Sequence, residues 1–330
     1  MAKNTLTLYY KNGTVTADLF EDNAFVKNVA AVSLDEFAVS DVADETFDCI
    51  IVPGGVLKPL KKGLYAINEA AAADARDSVY GCHEYNRLTE VARGIAADRG
   101  VPAYMAFPMS SDELFQRNRI SSNSAVRKYS RYYALEHAAA IETVARTTGD
   151  VAEDRNYIVA YIDDLVSVGA HMRGFCVDVN DMIGQEGPMG FTSSGDVPVR
   201  DIVAYAGRSD DSIDDICRAL TKESGLLGYT GISEPEDADS AESDEAKLAI
   251  DTMIYQIAKW IGSGAMALQG NVDGIIVAGK GARSKTIVDG LRKRTGGIAP
   301  LTALEELDVS AYMAKLASVA GTFAAPVFEY

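Results

Sequence analysis

Apolar and polar residues alternate through the first twenty positions, on both sides of the dipeptide Asn12-Gly13. Alternation with a period of two is typical of strands, and Asn-Gly is the pair that tight hairpin turns prefer. The pattern therefore predicts a β-hairpin. A further strand is predicted over Phe47–Val52, and it ends at the loop sequence Pro53-Gly54-Gly55.

Helical spacing follows in the rest of the first half. We predict helices over Ile67–Asp77 and Glu84–Ala97, and a longer helix that begins at a Ser124 cap and runs to about Arg146. A strand is predicted over Pro102–Phe107 between the second and third helices. Gly149-Asp150 breaks the last helical pattern, so we expect an N-terminal domain over 1–150 and a C-terminal domain over 151–330, with the final helix free to pack back on the first domain.

The second half repeats this plan. Three strands are predicted first, and Gly174 suits the tight turn before the last of them. The Gly-, Ser- and Pro-rich segment 182–198 is predicted to be an extended loop that lies over a cleft. The acidic run 228–244 is predicted to be a solvated loop or the start of the next helix, and a recognition tail is the alternative for this run. The three strands that open this half are Tyr157–Ile162, Val166–Ala170 and Phe175–Val179. A helix is predicted over Ala246–Leu268, with an apolar stripe that faces either the core or a dimer partner. The remaining predictions are a strand over Gly274–Gly279, a helix from Ser284, a strand near Ile298–Thr302 and a final helix ending near Val319.

Composition narrows the possible partners. The chain has 330 residues, a formal net charge of −17 and 48% hydrophobic residues, which argues for a globular protein that binds neither nucleic acid nor an anionic membrane surface. No apolar run is long enough to span a bilayer, and no leader sequence is apparent. The four cysteines and three histidines are scattered, which favours reduced thiols, separately satisfied histidines and a cytoplasmic location.

Three longer segments resemble the butyrate kinase branch of the acetate kinase and actin-like superfamily. They are PGGVLKPLKKGLYAINEA, SVGAHMRGFCVDVND…GQEGPMGFTSSGDVP and YQIAKWIGSGAMALQGNVDGIIVAGKGARSK. The resemblance implies a duplicated actin-like (ribonuclease H-like) α/β fold of two domains with an ATP cleft between them. It also implies a dimer formed mainly through the C-terminal domain, and transfer of the ATP γ-phosphoryl group to a small carboxylate.

The residues at the functional positions of the first domain differ from those that the resemblance implies. The first phosphate turn falls on Tyr9–Thr16, where Asn12 and Gly13 remain but the family pattern does not. A substrate-side arginine is replaced by Pro53, and an aspartate after a strand is replaced by Phe107. Neither replacement supplies a cation or a carboxylate.

The second domain shows the same loss. The second phosphate turn is glycine-rich in the family, but here it reads Asp163-Asp164-Leu165, and the histidine before it becomes Tyr161. Ser193 occupies the position of a second family arginine, ahead of Gly195, and Gly279-Lys280 occupies the adenine side of the implied cleft. The position of a metal-binding family glutamate falls on Leu307, and Glu305, Glu306 or Asp308 are the alternatives for that role.

The two aspartates decide the functional hypothesis. One carboxylate about 4 Å from one phosphate charge costs roughly 4 kcal/mol at an effective dielectric constant near 20. The sequence therefore favours a catalytically inactive pseudokinase with no cofactor and with a structural, regulatory or ligand-binding role, as a homodimer or as a hetero-oligomer with a related kinase. The alternative is an active carboxylate kinase that uses Mg-ATP at a rebuilt site, in which Asp163 and Asp164 hold Mg²⁺ or Lys11, Lys58, Lys280 and Arg283 supply new cations.

Overall fold

The computed structural model describes residues 4–330, which form two compact units. Unit 1 contains residues up to Asp112 together with Asp308–Tyr330, and unit 2 contains Glu113–Leu307. The division differs from the expected boundary at residue 150, because the helix that ends there packs on the sheet of unit 2. The final helix belongs to unit 1, where it packs on four strands of that unit's sheet.

Within the described residues, unit 1 is built on a mixed sheet of seven strands. The strands lie in the order β12-β5-β6-β4-β1-β2-β3. Their bounds are Asn4–Lys11 (β1), Thr14–Glu21 (β2), Ala24–Ser33 (β3), Cys49–Pro53 (β4), Leu64–Ala66 (β5), Ala103–Ala106 (β6) and Val327–Phe328 (β12). The described part of this unit has three α-helices, Glu69–Arg76 (α1), Glu84–Arg99 (α2) and Val309–Ser318 (α10).

The predicted hairpin is confirmed. β1 and β2 pair antiparallel, with Tyr9 opposite Thr16, and Asn12 and Gly13 both have positive φ at the turn. The edge strand β3 was not predicted. Most of its side chains are exposed, so neither face carries the alternating apolar signal from which a strand is recognised.

Within the described residues, unit 2 holds a five-stranded sheet in the order β11-β10-β7-β8-β9. Its strands are Asn156–Ile162 (β7), Val166–Met172 (β8), Phe175–Val179 (β9), Gly274–Ala278 (β10) and Leu301–Ala303 (β11). Its helices are Ala134–Thr148 (α3), Val199–Ala206 (α4), Ile213–Lys222 (α5), Gly225–Thr230 (α6), Pro235–Asp239 (α7), Asp244–Ala267 (α8) and Lys285–Thr295 (α9). The strands predicted for this half are confirmed, and 180–198 is a loop as predicted.

The apolar stripe of α8 packs into the core of unit 2. Ile250, Met253, Ile257 and Ile261 are buried there, and Trp260 is partly buried against the same core. Ser243 caps the helix by accepting a hydrogen bond from the Ala246 N–H group at 3.1 Å.

The predicted helix start at Ser124 is wrong. Residues 121–133 contain no helix, and α3 begins at Ala134. The Arg131 carbonyl accepts a hydrogen bond from Met182 N–H at 3.1 Å, and its guanidinium pairs with Asp181, so this backbone is held by the neighbouring loop. Val126, within this segment, is 59% exposed.

No helix among residues 4–330 combines the length and the apolar composition that are needed to cross a bilayer.

Candidate functional site

The predicted positions of unit 1 share one edge of its sheet. β1, β4 and β6 run parallel, so their carboxyl ends lie at the same edge. The Asn12-Gly13 turn follows β1, Pro53 ends β4, and Phe107 follows β6. Carboxyl ends of parallel strands are where α/β proteins place their ligands.

Phe107 has an unusual backbone conformation for a phenylalanine. Its φ is +39°, in the left-handed region, and its N–H group donates to the Gly63 carbonyl at 2.9 Å. Its ring packs against Tyr312 with 6.2 Å between centroids. Aspartate and asparagine tolerate left-handed backbone better than other side chains do, so this strand end has a shape that suits a carboxylate better than a phenyl ring.

The candidate positions of unit 2 also meet at a sheet edge. β7 and β10 are parallel neighbours, with Ala278 opposite Tyr161. The turn of Asp163-Asp164-Leu165 therefore leaves β7 beside Gly279 and Lys280, which follow β10. We call residues 163–165 the acidic turn.

The N–H groups of both aspartates donate within the acidic turn. Asp163 N–H donates to the Leu165 carbonyl at 3.0 Å, and Asp164 N–H donates to Asp163 Oδ1 at 2.9 Å. The two aspartate carbonyls accept from Phe191 and Thr192, both at 3.3 Å. A turn that binds phosphate directs its N–H groups at the ligand, and here two of those groups are already bonded.

Lys280 pairs directly with Asp164 of the acidic turn. Its Nζ lies 2.5 Å from Asp164 Oδ1, and only 4% of its side chain is exposed. Glu234 Oε1 is 3.7 Å from the same Nζ, and the ammonium group lies 4.8 Å from the centroid of the Phe191 ring. A buried ammonium group needs such partners, because an unpaired buried charge is strongly unfavourable.

Gly279 lets the lysine reach this position. Its φ is +81°, and a Cβ there would lie 2.6 Å from the Ile162 carbonyl oxygen. Only glycine adopts this conformation and permits this approach. The ends of β7 and β10 are thus brought together immediately before Lys280.

The acidic run 228–244 is more structural than its composition suggested. Arg283 pairs with Glu236 at 3.3 Å and with Glu234 at 3.6 Å. Asp239 caps α9 by accepting hydrogen bonds from the Ser284 hydroxyl at 2.7 Å and from backbone N–H groups of the first turn. The sequence reading as a solvated loop missed Glu234 as a partner of Lys280, since the pairing is not local.

Tyr161 lies inside unit 2 against a second tyrosine. It is 3% exposed, and its ring centroid is 4.7 Å from that of Tyr133. Burial, followed by the nearby Asp163, Tyr161 and Asp164, raises the pKa of the Tyr133 phenol well above its usual value. The Tyr133 phenol is therefore neutral at physiological pH. Sequence reasoning placed Tyr133 on a predicted helix, whereas the residue lies immediately before α3, and its contact with Tyr161 was not anticipated.

His137 and His171 are joined rather than separately satisfied, contrary to the sequence expectation. Their Nδ1 and Nε2 atoms lie 3.0 Å apart, and His137 Nε2 lies 2.8 Å from Ser167 Oγ. All three residues are buried. Burial lowers the pKa of His137 to about 3, so this histidine is neutral in the folded protein.

Ser193 lies close to the acidic turn, in the loop after β9, and Gly195 in the same loop lies against Gly187 and Pro188. Ser193 is buried, and a Cβ on Gly190 would meet both Asp164 O at 2.3 Å and Ser193 Oγ at 2.7 Å. Leu307 is half-buried in the segment after β11, at the end of unit 2. The structure thus groups Ser193 with Asp163, Asp164 and Lys280.

The residues at the acidic turn do not fit a magnesium site. Among residues 4–330 no group of three or more histidines, cysteines, aspartates and glutamates is arranged to hold a metal ion. The Asp164 carboxylate is already paired with a positive charge of the protein, the Lys280 ammonium group. Magnesium in proteins needs carboxylate ligands that are free to face the ion.

Comparison with known proteins gives consistent relatives. Residues 106–296 match the model of the acetokinase family. The chain is 34% identical to a probable butyrate kinase of Coprothermobacter proteolyticus, over 78% of this chain and 73% of the relative. It is 35% identical to butyrate kinase 2 of Clostridium acetobutylicum, over the same shares of the two chains.

Solved structures agree on the fold. The crystal structure of a propionate kinase from Francisella tularensis has a TM-score of 0.76 and covers 95% of this chain and 99% of its own, at 15% identity. Acetate kinase of Porphyromonas gingivalis has a TM-score of 0.71 and covers 90% of this chain and 88% of its own, at 18% identity. These likenesses confirm the expected duplicated, actin-like α/β fold.

Proposed function

Since the chain belongs to the acetate and butyrate kinase family, we propose that it is a family member that has lost catalysis. Its role is structural, regulatory or ligand-binding rather than the transfer of a phosphoryl group from ATP to a carboxylate. The fold is retained, while the positions that serve the chemistry have changed.

The observation that carries this proposal is the bonding of the acidic turn. The N–H groups of Asp163 and Asp164 donate inside the turn, and the Lys280 ammonium group is bound by Asp164. A bound triphosphate would have to break these bonds and then face two carboxylates. Each such charge pair costs roughly 4 kcal/mol at about 4 Å in an environment of intermediate dielectric constant.

The other family positions add to the same conclusion. Phosphoryl transfer requires cations and a metal to neutralise the charge of the transferring group. Pro53, Phe107, Tyr161 and Ser193 supply neither a cation nor a metal-binding carboxylate. Loss of a single transition-state cation costs roughly three to five powers of ten in rate, so the combined loss leaves little activity.

As a protein without its own catalytic step, the chain would act through association. We propose a cytoplasmic homodimer or a hetero-oligomer with a related, active kinase. This would leave a small carboxylate as an optional ligand rather than as a substrate.

The alternative is an active carboxylate kinase with a rebuilt site. One observation favours it: Lys280 places a cation at the acidic turn, where a phosphate-binding protein needs one. In this alternative Lys280 would exchange Asp164 for a phosphate oxygen when Mg-ATP binds.

Binding and turnover assays separate the two functions. The purified chain is titrated with Mg-ATP by calorimetry, and acetate, propionate and butyrate are tested with hydroxylamine to trap any acyl phosphate. Butyrate kinase 2 of Clostridium acetobutylicum serves as the positive control. We expect no heat of binding and no trapped product from this chain, whereas turnover with any of the three acids would establish the alternative.

A further inference from the structure

Unit 1 contains a cavity of about 270 Å³ that lies far from the family positions of that unit. It is formed at the C-terminal end of α2 and at the amino end of β6, whereas Phe107 follows the carboxyl end of β6. The cavity is therefore at the opposite edge of the sheet from Pro53 and Phe107. Its size is near the lower end for ligand pockets, which limits the occupant to a small molecule.

The walls of the cavity are mainly apolar. Ile67, Ala96, Val101 and Pro102 line it together with the half-buried ring of Tyr104. Such walls favour an aliphatic group over a sugar or a phosphate.

Arg93 is the cation of this cavity, and its guanidinium has unused hydrogen-bonding capacity. Its Nε is buried and has no hydrogen-bond partner among residues 4–330. The nearest paired carboxylate oxygen, Glu69 Oε2, lies 3.9 Å from its terminal nitrogen, beyond hydrogen-bond range. Arg87 on the same helix, by contrast, is bonded to Asp35 and to the Leu34 carbonyl. The terminal nitrogens of Arg93, on a side chain that is 37% exposed, remain available to pair with a carboxylate.

The C-terminal end of α2 favours a positively charged group, whereas Arg93 favours a negatively charged one. The N–H groups of Gly100 and Val101 both donate to the Ala96 carbonyl, and Pro102 has no N–H group to donate. The carbonyls that follow Ala96 therefore form the negative end of the helix beside the cavity, as unsatisfied carbonyls of a last turn do. A simple anion would be disfavoured there, whereas an ammonium group would be stabilised.

We propose that this cavity binds a small apolar α-amino acid. Its carboxylate would pair with Arg93, its ammonium group would face the carbonyls at the end of α2, and its aliphatic side chain would lie against Ile67, Val101 and Tyr104. The site would act as an effector site. It is independent of the proposed loss of catalysis, because no residue of it belongs to the positions used in that argument.

The test compares L-valine with two analogues that each lack one charge. Isovalerate lacks the ammonium group, and isobutylamine lacks the carboxylate. Binding is followed by amide chemical shifts of Gly100 and Val101 in the full chain. We expect saturable shifts with L-valine and binding that is weaker by about tenfold or more with either analogue, the change expected from losing one charge-assisted hydrogen bond.

Two variants locate the binding. Arg93→Gln should weaken L-valine binding by about tenfold or more, whereas the matched control Arg87→Gln on the same helix should leave it within about twofold. Ala97→Glu, at an exposed position of the lining four residues after Arg93, should weaken binding similarly because the new carboxylate competes for the Arg93 guanidinium, and it serves if Arg93→Gln does not fold. Absence of saturable binding, equal effects of the two arginine variants, or equal affinity for isovalerate would each overturn the proposal.

Discussion

Lys280 Nζ lies 2.5 Å from Asp164 Oδ1, although 116 residues separate them along the chain. The lysine is buried, while 43% of the Asp164 side chain is exposed. The pair joins the segment that follows β10 to the turn that follows β7. It therefore contributes to holding the acidic turn in its present conformation.

Removing either member of this pair should destabilise unit 2. Asp164→Asn leaves a buried ammonium group with only the more distant Glu234, and we expect a loss of about 1–3 kcal/mol in the free energy of unfolding. Lys280→Met removes the buried charge itself, so it should cost less. Chemical denaturation of both single variants and the double variant gives the coupling energy. Additive losses would mean that the two side chains do not interact in solution.

Gly279→Ala should be more damaging than an ordinary substitution in a turn. The residue has positive φ, and the added Cβ would lie 2.6 Å from the Ile162 carbonyl. We expect a loss of about 2–4 kcal/mol, which denaturant unfolding measures. Gly262→Ala is the matched control. Its Cβ meets nothing within 4 Å in α8, so it should stabilise by about 0.5–1 kcal/mol, and a similar sign for both variants would refute the argument.

Among variants that remove the Phe107 ring, the most stable should be the one whose side chain tolerates the left-handed backbone at this position. Phe107→Asn and Phe107→Ala both remove the ring contact with Tyr312, but only asparagine tolerates a φ of +39° readily. We expect the asparagine variant to be more stable than the alanine variant by about 1 kcal/mol, measured by thermal unfolding. Equal stability would show that the left-handed backbone carries no cost at this strand end.

His137 should make the protein sensitive to acid. Its pKa is about 3 when folded, because burial disfavours the imidazolium, against a usual value of 6.5. Between those two values the unfolded chain binds a proton that the folded chain does not, so stability falls as pH falls, by up to about 1.4 kcal/mol per pH unit. Above pH 6.5 this group contributes no pH dependence.

The variant His137→Asn isolates this contribution. It should be less stable than the parent at pH 7.5, since it breaks the contacts with Ser167 and His171. The difference should narrow by roughly 2–3 kcal/mol on going to pH 4.5, because the titration of all other groups cancels in the comparison. Parallel stability curves over this range would contradict the assigned protonation state.

The sequence predicted those elements of the fold that are marked by neighbouring residues, such as a turn dipeptide or a helix-capping serine. Asn12-Gly13 predicted its hairpin, and Ser284 marked the start of α9, whereas the Ser243 cap of α8 lies three residues before the predicted start at Ala246. β3 escaped notice because it is an exposed edge strand, and the start of α3 was misplaced because Arg131 is held by a loop fifty residues away. The periodicity of apolar residues indicates which face of an element is buried. It does not predict the conformation of a segment whose backbone hydrogen bonds are made with residues distant in sequence.

The candidate site divides in the same way. The sequence alone determined which residues stand at the candidate positions, namely the two aspartates of the acidic turn and the uncharged Pro53, Phe107, Tyr161 and Ser193, because these are questions of residue identity. Only the tertiary structure decided that Asp164 is bound by Lys280, that Glu234 joins them, and that His137 and His171 form one buried chain with Ser167. These contacts link residues far apart in the chain. They depend on which strand ends the sheet places side by side, and no local pattern records that order.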